Sequence, residues 1–315
     1  MKKGLKLCFI SLFLFSCSSI VTTSIKSINY IYSGDKSNIV GIGHTLKEYE
    51  PGWYPSKNTH FERIYYSKTK LELIKPKNKQ NKSVIYWAHG GAFLYPLTNF
   101  YRELAEYMIR VNDNYDIVFV DYRQLPEHKY PEGNIDFENG LKWCMEKYSK
   151  VYVMGDSAGG NLVMSNSLKR RDEGQKLPDA IVLISPFLDI SYTVNSRFEN
   201  VKTDILIGSK KDDFKPAKLL AENEYFKGFD NKDPYISPVF GEFDNFPPTY
   251  IEVNKGELLF DDSNIVVQKL NKLGIENELK ITENLFHDYI ILKALPESKI
   301  AIQNIFKFLD KQRGE

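Results

Sequence analysis

"YVMGDSAGGNLVM", residues 152–164, sets one serine between two glycines, with an apolar run before it and another after it. Two readings compete for Ser157: a nucleophile held on a sharp turn, or a small residue in an ordinary glycine turn ahead of a buried helix. A glycine turn at a strand-to-helix junction is common, so the stretch alone does not separate them. The decision rests on what the remaining chain sets around it.

Strand-like and helix-like segments alternate on both sides of this stretch. Strands are expected at residues 83–89, 116–122, 150–155, 179–185, 248–254 and 277–282, and helices at about 99–112, 135–148, 158–171, 261–273 and 297–312. Such alternation builds an α/β fold, a mostly parallel sheet flanked by helices. Asp262 or Ser263 is the expected cap of the fourth helix. Ahead of them, "FERIYYS" and "KLELIKP" alternate in polarity and predict an antiparallel hairpin at the sheet edge. Residues 192–230 break the pattern: rich in Lys, Asn and aromatics and without a clean strand, they suit a lid or cap over the strand ends. Residues 17–60 read as an N-terminal tether that can join that cap, leaving 61–315 as the main domain.

With 315 residues, 42% of them hydrophobic, the chain can bury one large core. The 42 Lys+Arg and 41 Asp+Glu nearly cancel, so no summed field favours nucleic acid or an anionic membrane. There is no fixed-period repeat and no Gly/Ser or Pro-rich linker. The start differs in kind. "MKKGLKLCFISLFLFSCSS" has three early lysines (Lys2, Lys3 and Lys6), an apolar run from Leu7 to Phe15, and small residues after it, the layout of an export signal over residues 1–16. The apolar stretch is short of the roughly 20 residues a spanning helix needs. "LFSC" resembles the lipobox of bacterial lipoproteins, which implies that Cys17 becomes a lipidated first residue and holds an exported protein at the membrane. Cleavage near Ser18 or Ser19 and a retained N-terminal anchor are the alternatives. Of the three cysteines only Cys144 then remains in the body of the chain, in the apolar stretch "FENGLKWCMEKY", where a buried thiol acts as a small hydrophobe. No disulfide, metal site or cofactor is expected.

"GDSAG" fits G-x-S-x-G, in which a strand turns so sharply into a helix that the serine hydroxyl stands above the sheet. Gly155 and Gly159 make room for that turn, and the amide of Ala158 points from a helix N-terminus to where an oxyanion would form. "HGGAF", residues 89–93, closes an earlier strand. Its adjacent glycines, Gly90 and Gly91, can bring further amide donors to the same oxyanion, with His89 ordering the loop.

These motifs resemble those of the hormone-sensitive-lipase-like group of α/β-hydrolase esterases. "HGGAF" is similar to the group's HGGG motif with Ala92 in the last glycine's place, "DYRQLPEHKYP" (121–131) to its DYR-x-x-PEH-x-x-P signature, and "GDSAGG" to its nucleophile motif. "SPFLDIS", "SPVFG" and "FPPTYIEV" resemble its later markers, so the likeness runs over about residues 60–310. The resemblance implies an α/β-hydrolase fold and a serine nucleophile. It also implies that Asp121, Arg123, Glu127 and His128 form a buried network bracing the catalytic loop. The continuation "LYPLTN" departs from the group's glycine-containing one, which leaves the acyl pocket open.

The base follows by elimination among five histidines. His44 and His60 precede the sheet, His89 and His128 sit inside structural motifs, and His287 follows the last strand in "ENLFHDY". The triad order of this fold, serine then acid then histidine, agrees. In "KGELLFDDS" the acid is Glu257, on the loop after its strand; family resemblance favours it too and leaves Asp261 as a supporting residue or alternative acid. The expected reaction is hydrolysis of a short- to medium-chain small-molecule ester by a Ser-Glu-His triad, through an acyl-enzyme and without a metal. A deacetylase of surface glycans, a peptidase or amidase, and a non-catalytic ligand-binding member of the same fold stand as alternatives.

Overall fold

The strand β3 (Ser83–Ala88) is buried at every position, so it has to lie inside a sheet covered on both faces. In the computed structural model, which describes residues 52–208 and 224–314, it does. Among the described residues one eight-stranded sheet contains β1 (Thr59–Tyr66), β2 (Thr69–Pro76), β3, β4 (Tyr115–Asp121), β5 (Lys150–Asp156), β6 (Ala180–Ile184), β7 (Thr249–Asn254) and β8 (Asn277–Thr282). Their spatial order is β1-β2-β4-β3-β5-β6-β7-β8. β2 runs antiparallel to β1 and β4, and every other pairing is parallel. The expected hairpin is there, with Tyr66 opposite Thr69 and with Ser67 and Lys68 both at positive φ, the backbone that suits a two-residue turn to the twist of its strands.

Alternate residues of each strand feed two cores. Val84, Tyr86 and Ala88 pack with α2 (Glu132–Lys147), α3 (Ala158–Asp172) and α5 (Phe260–Lys272). Ile85 and Trp87 pack on the other face with α1 (Asn99–Val111) and α6 (Pro296–Arg313). Cys144 is a free, buried thiol within the first core. A short α4 (Ser196–Glu199) lies between β6 and β7.

The cap expected at Asp262 or Ser263 is corrected. α5 begins at Phe260 and has no side-chain cap bond, and both residues are buried inside it. Asp262 is drawn inward because it pairs with the equally buried Arg197 at 2.7 Å. The export signal of residues 1–16, Cys17, most of the 17–60 tether and residues 209–223 of the expected lid lie outside the described residues. No helix among the described residues is long and apolar enough to cross a membrane.

α3 is buried along almost its whole length, from Ala158 to Leu168, so its polar members need partners inside the fold: Asn161 Nδ2 donates to the Phe187 and Ile236 carbonyls at 3.0 and 2.8 Å. The helix enters the sheet closely: a Cβ on Gly159 would overlap the Ala88 carbonyl, one on Gly155 would lie 2.5 Å from the Gly159 carbonyl, and one on Gly160 would lie 2.7 Å from Pro186 Cβ. Gly159→Ala is expected to reach or exceed the upper end of the about 1–3 kcal/mol that overpacking costs, because the obstructing atoms are backbone. Soluble yield and urea unfolding of the purified variant check this; a wild-type midpoint would refute it.

Candidate active site

Chain direction reverses between β3 and β5. From β3 the chain passes to β4 on one side, and later returns to β5 on the other, with Ala88 paired to Gly155. A crevice forms at the carboxyl ends of strands at such a switch point. The glycine loop leaves β3 there and Ser157 leaves β5. Glu257 follows β7 and His287 follows β8 at the same edge.

Ser157 has φ 48° and ψ −117°, a backbone that side-chain-bearing residues rarely adopt and that surrounding structure has to enforce. Its amide donates to the Ile184 carbonyl at 3.0 Å, and Phe187 N–H bonds its carbonyl at 2.9 Å. Its Oγ lies 2.9 Å from His287 Nε2, while His287 Nδ1 lies 2.7 Å from Glu257 Oε2. The other oxygen of Glu257 accepts from Ser185 Oγ and from the Asn254 amide, each at 2.8 Å. All three side chains are buried.

Asp288, with left-handed backbone, sets its Oδ2 3.1 Å from His287 Nε2. Burial disfavours the imidazolium, but the carboxylates of Asp288 and Glu257 outweigh it and hold His287 well above its ordinary value. Asp156, just before the serine, is also buried. It accepts from Trp87 Nε1 at 2.8 Å, Tyr101 Oη at 2.5 Å and Gly90 N at 2.8 Å. Burial first, and then the Asp288 charge, push its carboxyl up to about 7, against those hydrogen bonds.

The bond to Asp156 corrects one expectation. The Gly90 amide is shared between Asp156 and the Tyr101 hydroxyl, so it is spent on holding the loop and cannot also serve an oxyanion. The amides of Gly91, Ala92 and Ala158 bond to no acceptor among the described residues. Gly91, at φ 114°, is followed by Ala92 and Phe93, both also at positive φ, a left-handed turn closed by the Leu94 and Tyr95 amides on the Gly91 carbonyl, each at 2.9 Å. His89 stacks on Tyr122 at 4.5 Å between centroids, its Nδ1 lies 2.7 Å from the Gly90 carbonyl, and burial lowers its pKa.

The expectation of a buried Asp121, Arg123, Glu127 and His128 network is corrected as well. Asp121 pairs with Lys70 at 2.6 Å at the sheet margin, and Glu127 is exposed. Arg123 and His128, with side chains about two-fifths exposed (38% and 42%), meet at Glu132. This loop crosses the surface, where charged heads keep their water. Its charged anchor is buried: Asp136 takes two bonds from the Arg123 guanidinium, one from the Arg123 amide and one from Thr69. Asp136 belongs to no motif and lies inside α2, so nothing in the sequence marked it. The loop reaches the glycine loop instead through Leu125 N to the Phe93 carbonyl, 2.8 Å, and Tyr122 Oη to the His89 carbonyl, 3.0 Å. Phe93 in turn stacks on Tyr225 at 4.5 Å, whose hydroxyl accepts from Gly133 N at 2.9 Å. Asp261 accepts from the Ser196 amide at 2.8 Å; it is not among the contacts of His287. Ser185, Asn254, Asp156 and Asp288 are site members that sequence reading did not single out. Ser185 opens "SPFLDIS" and Asp288 adjoins His287, so adjacency to known motifs was the available signal.

Comparison with known proteins agrees with this architecture. A family model described as alpha/beta hydrolase fold matches residues 85–291. The chain is 29% identical over 231 residues to an esterase of Acinetobacter venetianus, covering 71% of this chain and 74% of that one. It is 27% identical over 248 residues to an acetyl-hydrolase of Streptomyces hygroscopicus, covering 78% and 80%. Among solved structures, an esterase/lipase from an uncultured bacterium superimposes with a TM-score of 0.80 at 25% identity, over 93% of this chain and 99% of that one. An esterase from the bacterial hormone-sensitive lipase family does so with a TM-score of 0.75 at 23% identity, over 88% and 97%. The chain belongs to the α/β-hydrolase family.

Proposed function

We propose that this protein is a serine carboxylesterase that hydrolyses short- to medium-chain esters of small molecules. The observation that carries this reading is the continuous relay from Glu257 through His287 to Ser157, with contacts of 2.7 and 2.9 Å, ending beside three amides without another acceptor. His287 takes the Ser157 proton as Oγ bonds to the ester carbonyl carbon. The carbonyl oxygen gains charge, and the Gly91, Ala92 and Ala158 amides receive it; Ala92 takes the place of the Gly90 donor first expected alongside Gly91 and Ala158. Collapse breaks the ester C–O bond while the imidazolium protonates the departing alkoxide. Water, activated by the same histidine, then releases the acid. Glu257 fixes the tautomer with the proton on Nδ1, and Asp288 adds charge that favours the imidazolium formed in each half-reaction.

The names of the relatives support an ester substrate. An acetyl-hydrolase among them favours a second reading in which the acyl group is acetate, on a carbohydrate or another acetylated compound. Rates for p-nitrophenyl acetate, butyrate and octanoate separate the two. A rate confined to acetate selects deacetylation, and comparable rates for acetate and butyrate select the wider esterase. The export and lipid tether read at Cys17 belong to the same proposal: they would hold the enzyme outside the cell, facing substrates that need not cross the membrane. Cys17→Ser is expected to move the protein from the membrane fraction to the soluble one on cell fractionation. Unchanged partitioning removes the tether.

Ser157→Ala should lower p-nitrophenyl butyrate turnover by about 10⁴-fold or more and abolish fluorophosphonate labelling, with unfolding unchanged. Labelling that persists in the variant would exclude Ser157. The pH dependence has a definite sign. Turnover needs neutral His287, and its raised pKa places the acidic limb of kcat/KM above the ordinary imidazole value. Asp288→Asn removes the nearby negative charge that does most to raise it, so the limb should move to lower pH; a limb that stays or rises refutes the role given to Asp288.

A further inference from the structure

The loop that carries Glu257 is held from outside itself. Its four successive carbonyls, from Lys255 to Leu258, all accept from one short segment, Ser196–Asp204. Asn200 Nδ2 donates to the Lys255 carbonyl at 2.9 Å and to the Glu257 carbonyl at 2.8 Å. Thr203 Oγ1 donates to the Gly256 carbonyl at 3.0 Å. Ser196 Oγ, at 2.8 Å, and the Arg197 guanidinium donate to the Leu258 carbonyl, and the Leu258 amide donates back to Asp204 Oδ2 at 2.9 Å. Every member of the segment used here comes from the stretch that sequence reading assigned to the cap, more than 50 residues before the loop it grips.

The segment is itself anchored. Arg197 is fully buried, pairs with Asp262 at 2.7 Å and lies over the Phe187 and Tyr192 rings. The second oxygen of Asp204 accepts from the Leu206 and Ile207 amides at 3.0 and 2.9 Å. A glutamate has one more rotatable bond than an aspartate in the same role, so its carboxylate reaches the imidazole in a single pose only if its backbone is fixed as well as its tip. Ser185 and the Asn254 amide fix the tip. The strand ends hold the amides of the loop, with Lys255 N on the Thr282 carbonyl at 2.9 Å, Gly256 N on Asn254 Oδ1 at 3.0 Å and Glu257 N on the Asn254 carbonyl at 3.1 Å, and the Ser196–Asp204 segment holds its carbonyls.

The geometry points to Asn200 and Thr203 as positioning residues that hold the Glu257 loop so that its carboxylate meets His287. This rests on the reading of Glu257 as the acid of the proposed esterase. Neither residue touches the reacting atoms; each acts through the loop carbonyls. Thr203 is exposed and Asn200 half-buried, so their truncation leaves the core intact.

The test uses the full chain with Asn200→Ala and the milder Thr203→Val, both in the wild-type and in a Glu257→Gln background. Expected for Asn200→Ala is a loss in kcat of about tenfold with KM within about twofold, the scale at which small misplacements act. In the Glu257→Gln background the same substitution should cost nearly nothing, because the path it acts through is already cut. Independently of turnover, the far-downfield proton resonance of the His287 Nδ1–Glu257 hydrogen bond should weaken or vanish in Asn200→Ala and shift in Thr203→Val. Wild-type kcat and resonance in both variants, or a loss equally large in both backgrounds, overturns the assignment. Fluorophosphonate labelling of the wild type reports the esterase reading separately, so an unreactive Ser157 with a resonance that responds to Asn200 would sink that reading and leave the clamp standing.

Discussion

Everything at this site depends on the distance between β3 and the start of α3. With glycine at 155, 159 and 160 the helix seats its first turn against the carbonyls that end β3. That seating forces the positive φ of Ser157. The strain is sustained because the neighbours over-determine it: backbone bonds from Ile184 and Phe187 pin both sides of the peptide. The hydroxyl is thereby held out of the sheet and the first helical amide is aimed past it. No flexible side chain is asked to supply this geometry, and the folding free energy of the sheet and helix sustains it in advance of any substrate.

Around that rigid turn the electrostatics are arranged in opposition. Asp156, Asp288 and Glu257 lie buried around His287, and loss of water first, then mutual repulsion, presses the aspartates toward neutrality. The histidine draws the other way and is held toward its charged form. The donors are allotted with little left over. Gly90, Trp87 and Tyr101 are committed to Asp156, and the next amides along the same loop stand unoccupied. One acidic side chain therefore divides a run of equivalent peptide groups into structural and chemical members.

Much of this was legible in the chain. Strand and helix alternation located the six strands from β3 to β8 and five helices to within a few residues, since their periods reflect burial. Ser157 and Glu257, singled out by motif and strand end, lie within hydrogen-bonding distance of His287, singled out by elimination. What stayed hidden was the state of individual hydrogen-bonding groups. Whether the Gly90 amide is free depends on Asp156 and Tyr101, which tertiary packing brings together from 66 and 11 residues away. The burial of "DYRQLPEH" was misjudged because a motif conveys which residues meet but carries no information on how deep they sit. Asp262 looked like a cap because acidic residues at a helix start usually are, and a distant arginine claimed it instead.

Two attachments of the segment between β6 and β7 differ in kind. Before residue 209 it is bonded to the loop of Glu257, and after residue 223 Tyr225 stacks on Phe93 beside the glycine loop. Descendants of such a chain could lengthen, shorten or recompose the stretch between those two fixtures while inheriting the same catalytic geometry. Substrate preference and reaction chemistry would then change at separate rates, which is how one scaffold can diversify its diet without reinventing its chemistry.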